Sequence, residues 1–121
     1  MEKIKSICMM RELMNAMADL EAQLLSRFDL SVNEAMALCC ISRDTLTASV
    51  ISENTRLLPS NTSKVLRSLE SKELISRSLG QVDRRQMQFC LTDAGRLRLQ
   101  RLKSEGVDIP EFLMPLYRDS F

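Results

Sequence analysis

The sequence predicts a mostly helical α+β protein with one small antiparallel β-hairpin, and three observations predict it. Apolar residues recur at three- and four-residue steps through most of the chain. Helix-capping side chains (Ser31, Thr47, Ser60 and Thr92) stand where such runs begin. Only between residues 74 and 91 does the period drop to two. The 121 residues suit a single domain, 1–121, and 45% hydrophobic with 27% charged residues is a globular balance. With aromatics at 4%, Leu, Ile, Val and Met must fill the core.

Residues 3–28 contain neither Gly nor Pro and read as one long helix. Ile7, Met10, Met14, Met17, Leu24 and Phe28 form one apolar stripe, with Met9, Leu13, Ala16 and Leu20 beside it. A face that wide serves two partners better than one, so this helix is expected to pack on its own domain and on a second subunit. Ser31-Val32-Asn33-Glu34 is a capping box opening a helix to about Ser42. Thr47 can cap a third helix, from Ala48 to about Thr55.

Arg56-Leu57-Leu58-Pro59 reads as a turn, with Ser60 capping a fourth helix through Lys72 and Pro59 just outside it. Two short helices joined by a tight turn are a helix-turn-helix. On the second of them Thr62, Val65, Leu66 and Leu69 fall within an arc of about 100°. Ser60, Lys64, Arg67 and Ser71 fall opposite, flanked by Ser63 and Ser68, so the exposed face is small, hydroxylated and cationic. Such a face can enter a major groove without steric or charge conflict.

Residues 74–79 then suit a strand and residues 80–85 a hairpin tip. In residues 86–91, Met87, Phe89 and Leu91 alternate with Gln86, Gln88 and Cys90. Thr92 caps a helix from Asp93 to about Ser104, which Gly106 ends. Pro110 can open a short last helix that Pro115 bends.

The net charge of +1 conceals segregation: residues 56–103 carry eleven Lys/Arg against four Asp/Glu, while both flanking segments are acidic. A basic segment of that kind suits a phosphate-binding surface. Cys8, Cys39, Cys40 and Cys90 lack C-x-x-C spacing and the chain has no histidine, so no metal or cofactor is expected and the thiols should act mainly as small hydrophobes. Without a histidine, a Gly-rich phosphate loop or a paired-carboxylate motif, an enzyme is not expected. The acidic pairs Glu2 with Glu12 and Asp19 with Glu21 belong to a solvated helix side. No signal-peptide layout and no membrane-length apolar run is present, so the expected location is cytoplasmic.

Asp83-Arg84-Arg85, five residues, then Leu91-Thr92-Asp93-Ala94-Gly95 resembles the D-x-R-x5-L-T-x-x-G signature of the MarR family of bacterial regulators. Leu58-Pro59-Ser60 and Leu66-x-x-Leu69-Glu70 are similar to that family's recognition helix. The resemblance implies a winged helix-turn-helix fold with N- and C-terminal dimerisation helices: residues 3–28 for dimerisation, 46–92 for the helix-turn-helix and wing, and 93–121 again for dimerisation. It implies a homodimeric transcriptional repressor binding a pseudo-palindromic operator in double-stranded DNA, with a small-molecule effector of unknown identity as a further partner and no membrane.

Base contacts are then expected from Asn61, Lys64 and Arg67, and phosphate contacts from Ser60, Ser63, Arg77 and the basic helix after Thr92. Arg84 and Arg85 would reach the minor groove, Arg85 being the wing arginine and Asp83 the acid that supports the wing turn. Three features depart from the family pattern. Arg56 and Glu73 stand where glycines are common, and only seventeen residues follow Ser104. A shortened dimer interface should lean on residues 3–28 with Phe112, Leu113, Met114, Leu116 and Tyr117. The alternative is a winged-helix protein–protein interaction module that no longer binds DNA, with the first helix as its docking face.

Overall fold

A computed structural model describes residues 2–3, 6–42, 44–80 and 85–120. Two compact units divide the chain: Met1–Asp29 with Val107–Phe121, and Leu30–Gly106.

The first unit contains helix α1 (Met9–Phe28) and a terminal 3-10 helix (Glu111–Ser120). Helix α1 starts later than the residue 3 read from the sequence, and the side chain of its N-cap, Cys8, makes no capping hydrogen bond. At the other end Asp29 turns left-handed (φ 55°), and its amide donates to the Leu24 and Leu25 carbonyls. The Gln23 side chain ties α1 to the segment leading into the 3-10 helix: its amide donates to the Asp108 carbonyl at 2.8 Å and its oxygen accepts from the Asp108 amide at 2.7 Å. Ala16, Leu24, Phe28 and Leu113 are buried, whereas Ile7, Met9, Met10, Leu13, Met14 and Leu25 are exposed. On the 3-10 helix Phe112, Met114, Leu116 and Tyr117 are exposed too. Pro115 lies inside that segment, where its missing N–H disfavours a regular α-helix.

The second unit runs α2 (Val32–Ile41), β1 (Leu46–Thr47), α3 (Ala48–Thr55), α4 (Pro59–Ser71), β2 (Ile75–Leu79), β3 (Met87–Leu91) and α5 (Asp93–Glu105). The expected capping box forms: Glu34 N–H donates to Ser31 Oγ, and Ser31 N–H donates to Glu34 Oε1, both at 3.0 Å. Thr47 and Thr92 also cap as expected, accepting from the Val50 and Gly95 amides. Ser60 does not cap α4. Pro59 is the first residue of that helix and Leu58 its N-cap, because a residue without an N–H and with fixed φ suits the first helical position.

The hairpin belongs to a three-stranded antiparallel sheet in the order β1-β3-β2, with Leu46 opposite Phe89 and Phe89 opposite Arg77. Strand β1 was not anticipated, since two residues carry no detectable alternation. The core of this unit comprises Leu30, Leu38, Ile41, Ile51, Leu66, Leu69, Leu74, Ile75, Phe89, Leu91 and Leu99. Each large aliphatic removed from water contributes about 1.5–3 kcal/mol before entropy is counted. Arg56 (φ 60°) and Glu73 (φ 61°), which stand where the resemblance implies glycines, adopt the left-handed conformation.

Candidate functional site

Helix α4 presents the amphipathic division read from its sequence. Thr62, Leu66 and Leu69 are buried, while Ser60, Asn61, Ser63, Lys64, Arg67 and Ser71 are exposed. The turn before it is held by hydroxyls. Ser52 Oγ donates to Thr62 Oγ1 at 2.7 Å, and Thr62 Oγ1 donates to the Leu58 carbonyl at 3.1 Å. These bonds satisfy a buried threonine and tie α3 to the start of α4.

At its C-terminal end α4 is held by Glu34, which is only 5% exposed. Its carboxylate accepts from Ser68 Oγ at 2.8 Å and Lys72 Nζ at 2.9 Å, in addition to the Ser31 amide. Burial acts to raise the Glu34 carboxyl. The Ser31 amide, Lys72 and Ser68 outweigh it and hold the group below its ordinary value. The sequence marked Glu34 only as a local cap, because partners 34 and 38 residues away leave no trace in local spacing.

The L-T-x-x-G segment also has a structural explanation. Thr92 N–H donates to the Leu74 carbonyl at 3.1 Å, and Thr92 Oγ1 donates to the Glu73 carbonyl at 2.7 Å. A Cβ on Gly95 would lie 2.0 Å from the Leu74 carbonyl oxygen, so only glycine lets α5 approach this corner. The motif therefore locks α5 against the α4–β2 turn.

A groove of about 530 Å³ runs between α4 and the sheet, lined by Ser63 and Arg67 from α4, Ser49 from α3, and Arg77, Gln86 and Met87 from the hairpin. The polar side of α4 and the hairpin thus share one surface. Gly80 N–H donates to the Gln86 carbonyl at 2.8 Å, closing the hairpin below its tip. Arg85 is exposed at the base of that tip. Asp83 and Arg84, expected as wing support and minor-groove contact, lie outside the described residues.

Arg77, expected as a phosphate contact, is engaged with a carboxylate: its Nε donates to Glu70 Oε2 at 2.7 Å and its Nη2 to Oε1. The Arg77 hydrogen bonds lower the Glu70 carboxyl, with a further pull from the charge of Arg67, and Glu70 in turn raises Arg77. The cysteines are all free thiols, but Cys8 and Cys39 are exposed, so packing as small hydrophobes describes only the half-buried Cys40 and Cys90. Among the described residues no cluster of three metal-ligating side chains occurs, and no helix is long and apolar enough to cross a membrane.

The sequence model of the MarR family matches residues 30–87. A search among curated proteins found no match. Among solved structures, the S. aureus MepR–DNA complex is similar at TM-score 0.65 and 26% identity, covering 80% of this chain and 81% of that one. A cysteine-to-serine variant of MarR from E. coli, complexed with operator DNA, is similar at TM-score 0.69 and 20% identity, covering 81% and 73%. The regulator BldR from Sulfolobus solfataricus gives 0.68 and 19%, covering 97% of both chains. The last two are likenesses of fold alone. Residues 30–87 thus match the MarR family model, and the chain has the winged helix-turn-helix fold of these similar structures.

Proposed function

We propose that the chain is a DNA-binding transcriptional regulator, acting as a homodimer on a pseudo-palindromic operator and repressing by occupying it. One observation carries the reading: the exposed side of α4 is hydroxylated and cationic, and it shares a groove with the hairpin. In a duplex, Asn61, Lys64 and Arg67 would meet base edges, while Ser60 and Ser63 would meet phosphates. Arg85, with Arg84, would approach the flanking minor groove, where narrow A·T-rich tracts concentrate negative potential. The DNA-bound forms of MepR and MarR support this use of the fold.

A second copy is the proposed partner of the first unit. Six large apolar side chains of its N-terminal segment are exposed, from Ile7 to Leu25, and four more on the 3-10 helix. Ten exposed large apolar side chains on one small unit suit a surface that a second subunit covers. Two α4 helices related by a two-fold axis would read half-sites about one helical turn apart.

The test is selection of duplexes from a randomised pool by the full chain, followed by a salt series on the enriched sequence. The expected result is a two-fold symmetric site and an affinity falling steeply with salt, with a log–log slope of about −0.9 per phosphate neutralised. Enrichment of nothing, or binding indifferent to salt, rejects the proposal and leaves the protein–protein module as the better reading.

A further inference from the structure

Arg77 stands opposite Phe89 in the β2–β3 register, two residues beyond the buried pair Ile75 and Leu91. Alternation therefore puts Arg77 on the core side of the hairpin, where that side reaches the edge of the core. Its guanidinium lies 5.5 Å from the Phe89 ring centroid, within cation–π range, and forks onto Glu70. Glu70 follows Ser63 and Arg67 at i+7 and i+3, on the side of α4 that lines the groove toward the hairpin. One side chain thus joins the recognition helix to both hairpin strands.

We propose that Glu70, Arg77 and Phe89 form a strut that fixes the wing hairpin at a set distance and angle from α4, so that Arg77 is a positioning residue for DNA reading and not a phosphate ligand. This rests on the DNA-binding function proposed above. Reading a major groove with α4 and the adjoining minor groove with the hairpin requires the two elements to keep one spacing, and a bidentate, ring-backed ion pair resists both sliding and twisting. Engaging Glu70 has a second consequence. A carboxylate three residues from Arg67 would otherwise compete with DNA for that arginine.

The experiment compares full-length wild type, Glu70→Gln, Arg77→Lys, Arg77→Gln and the Glu70→Gln/Arg77→Lys double variant. The probe is the duplex most enriched by wild type from a randomised pool, with a scrambled duplex as control. Glu70→Gln deletes a negative charge from a surface facing DNA, so charge counting alone predicts tighter binding to both duplexes. The strut predicts the reverse for the selected duplex: affinity falls about tenfold, while the scrambled duplex binds no more weakly. Arg77→Lys keeps the charge without the fork, and it should lose a similar factor at unchanged salt slope. The double variant should be little worse than either single one, because both remove the same interaction. Backbone amides of Ile75–Leu79 should exchange hydrogen faster in Glu70→Gln without any DNA present.

Wild-type or tighter binding by Glu70→Gln overturns the strut. Full affinity in Arg77→Lys, with a slope reduced by about one in Arg77→Gln, overturns it too, since that pair of results marks a phosphate contact. If the wild-type chain enriches no sequence, the DNA-binding proposal fails separately. Amide exchange then decides the strut, and unchanged exchange in Glu70→Gln overturns it.

Discussion

Replacing Glu34 with alanine should cost about 2–4 kcal/mol of folding free energy. The carboxylate terminates three donors: the Ser31 amide at 3.0 Å, Ser68 Oγ at 2.8 Å and Lys72 Nζ at 2.9 Å. Losing the capping bond alone costs about 1 kcal/mol. Hydrogen bonds to a buried charge contribute about 1.5–3 kcal/mol each, and removing one partner of a buried ion pair costs about 3–5 kcal/mol. The sum is discounted because the Lys72 side chain is 25% exposed and can turn to water when its partner is gone. At about 4 °C per kcal/mol, the melting temperature should fall by about 8–16 °C.

Thermal and urea denaturation followed by circular dichroism at neutral pH measure this, and the pH dependence adds an independent check. The folded Glu34 carboxyl is held below its ordinary value of 4.5. Its contribution is therefore complete above pH 4.5 and is lost as pH falls through the lower folded value. Glu34→Gln, which has no such proton to bind, should trail wild type by a constant margin above pH 4.5, close that margin as pH falls from 4.5 through the lower folded value, and keep a constant offset below it. An alanine variant melting within about 2 °C of wild type, or a glutamine variant falling further behind in acid, refutes the reasoning.

Arg56→Gly and Glu73→Gly should each stabilise by up to about 1 kcal/mol, since both exposed residues hold left-handed backbone that glycine adopts without strain. Urea midpoints at unchanged m-value read this, and destabilisation by either substitution counts against it. Gly95→Ala should destabilise by about 3 kcal/mol or prevent folding, because its methyl would meet the Leu74 carbonyl oxygen at 2.0 Å. A well-folded alanine variant of near wild-type stability would show that the corner yields more easily than its geometry implies. The Met10→Glu/Met14→Glu double variant, altering two exposed positions on α1, should sediment as a monomer while wild type sediments as a dimer, with thermal unfolding still cooperative. Retention of the dimer in that variant places the interface elsewhere.

The sequence by itself determined most of the local structure. Ser31, Thr47 and Thr92 announced their helices because capping is a contact across three residues, and the apolar arc of α4 followed from helical spacing alone. The change of period at Ile75 marked the hairpin, and Asp83-Arg84-Arg85 with the L-T-x-x-G run carried the resemblance to the MarR family, whose model matches residues 30–87. Pro59 was misplaced by one residue, since a hydroxyl at Ser60 looks like a cap until the proline is seen occupying the first helical position.

Tertiary structure alone decided what became of the charges. A strand arginine in a basic segment gives no hint of its partner, and the partner of Arg77, Glu70, sits on α4 across a tight turn. Glu34 looked like a cap and proved also to hold the far end of α4. Strand β1 exists only because Leu46 and Thr47 find the free edge of β3. Local patterns record contacts within a helical turn or between alternate strand positions. The partner of a charged or hydrogen-bonding group distant in sequence is chosen by how the helices and strands pack.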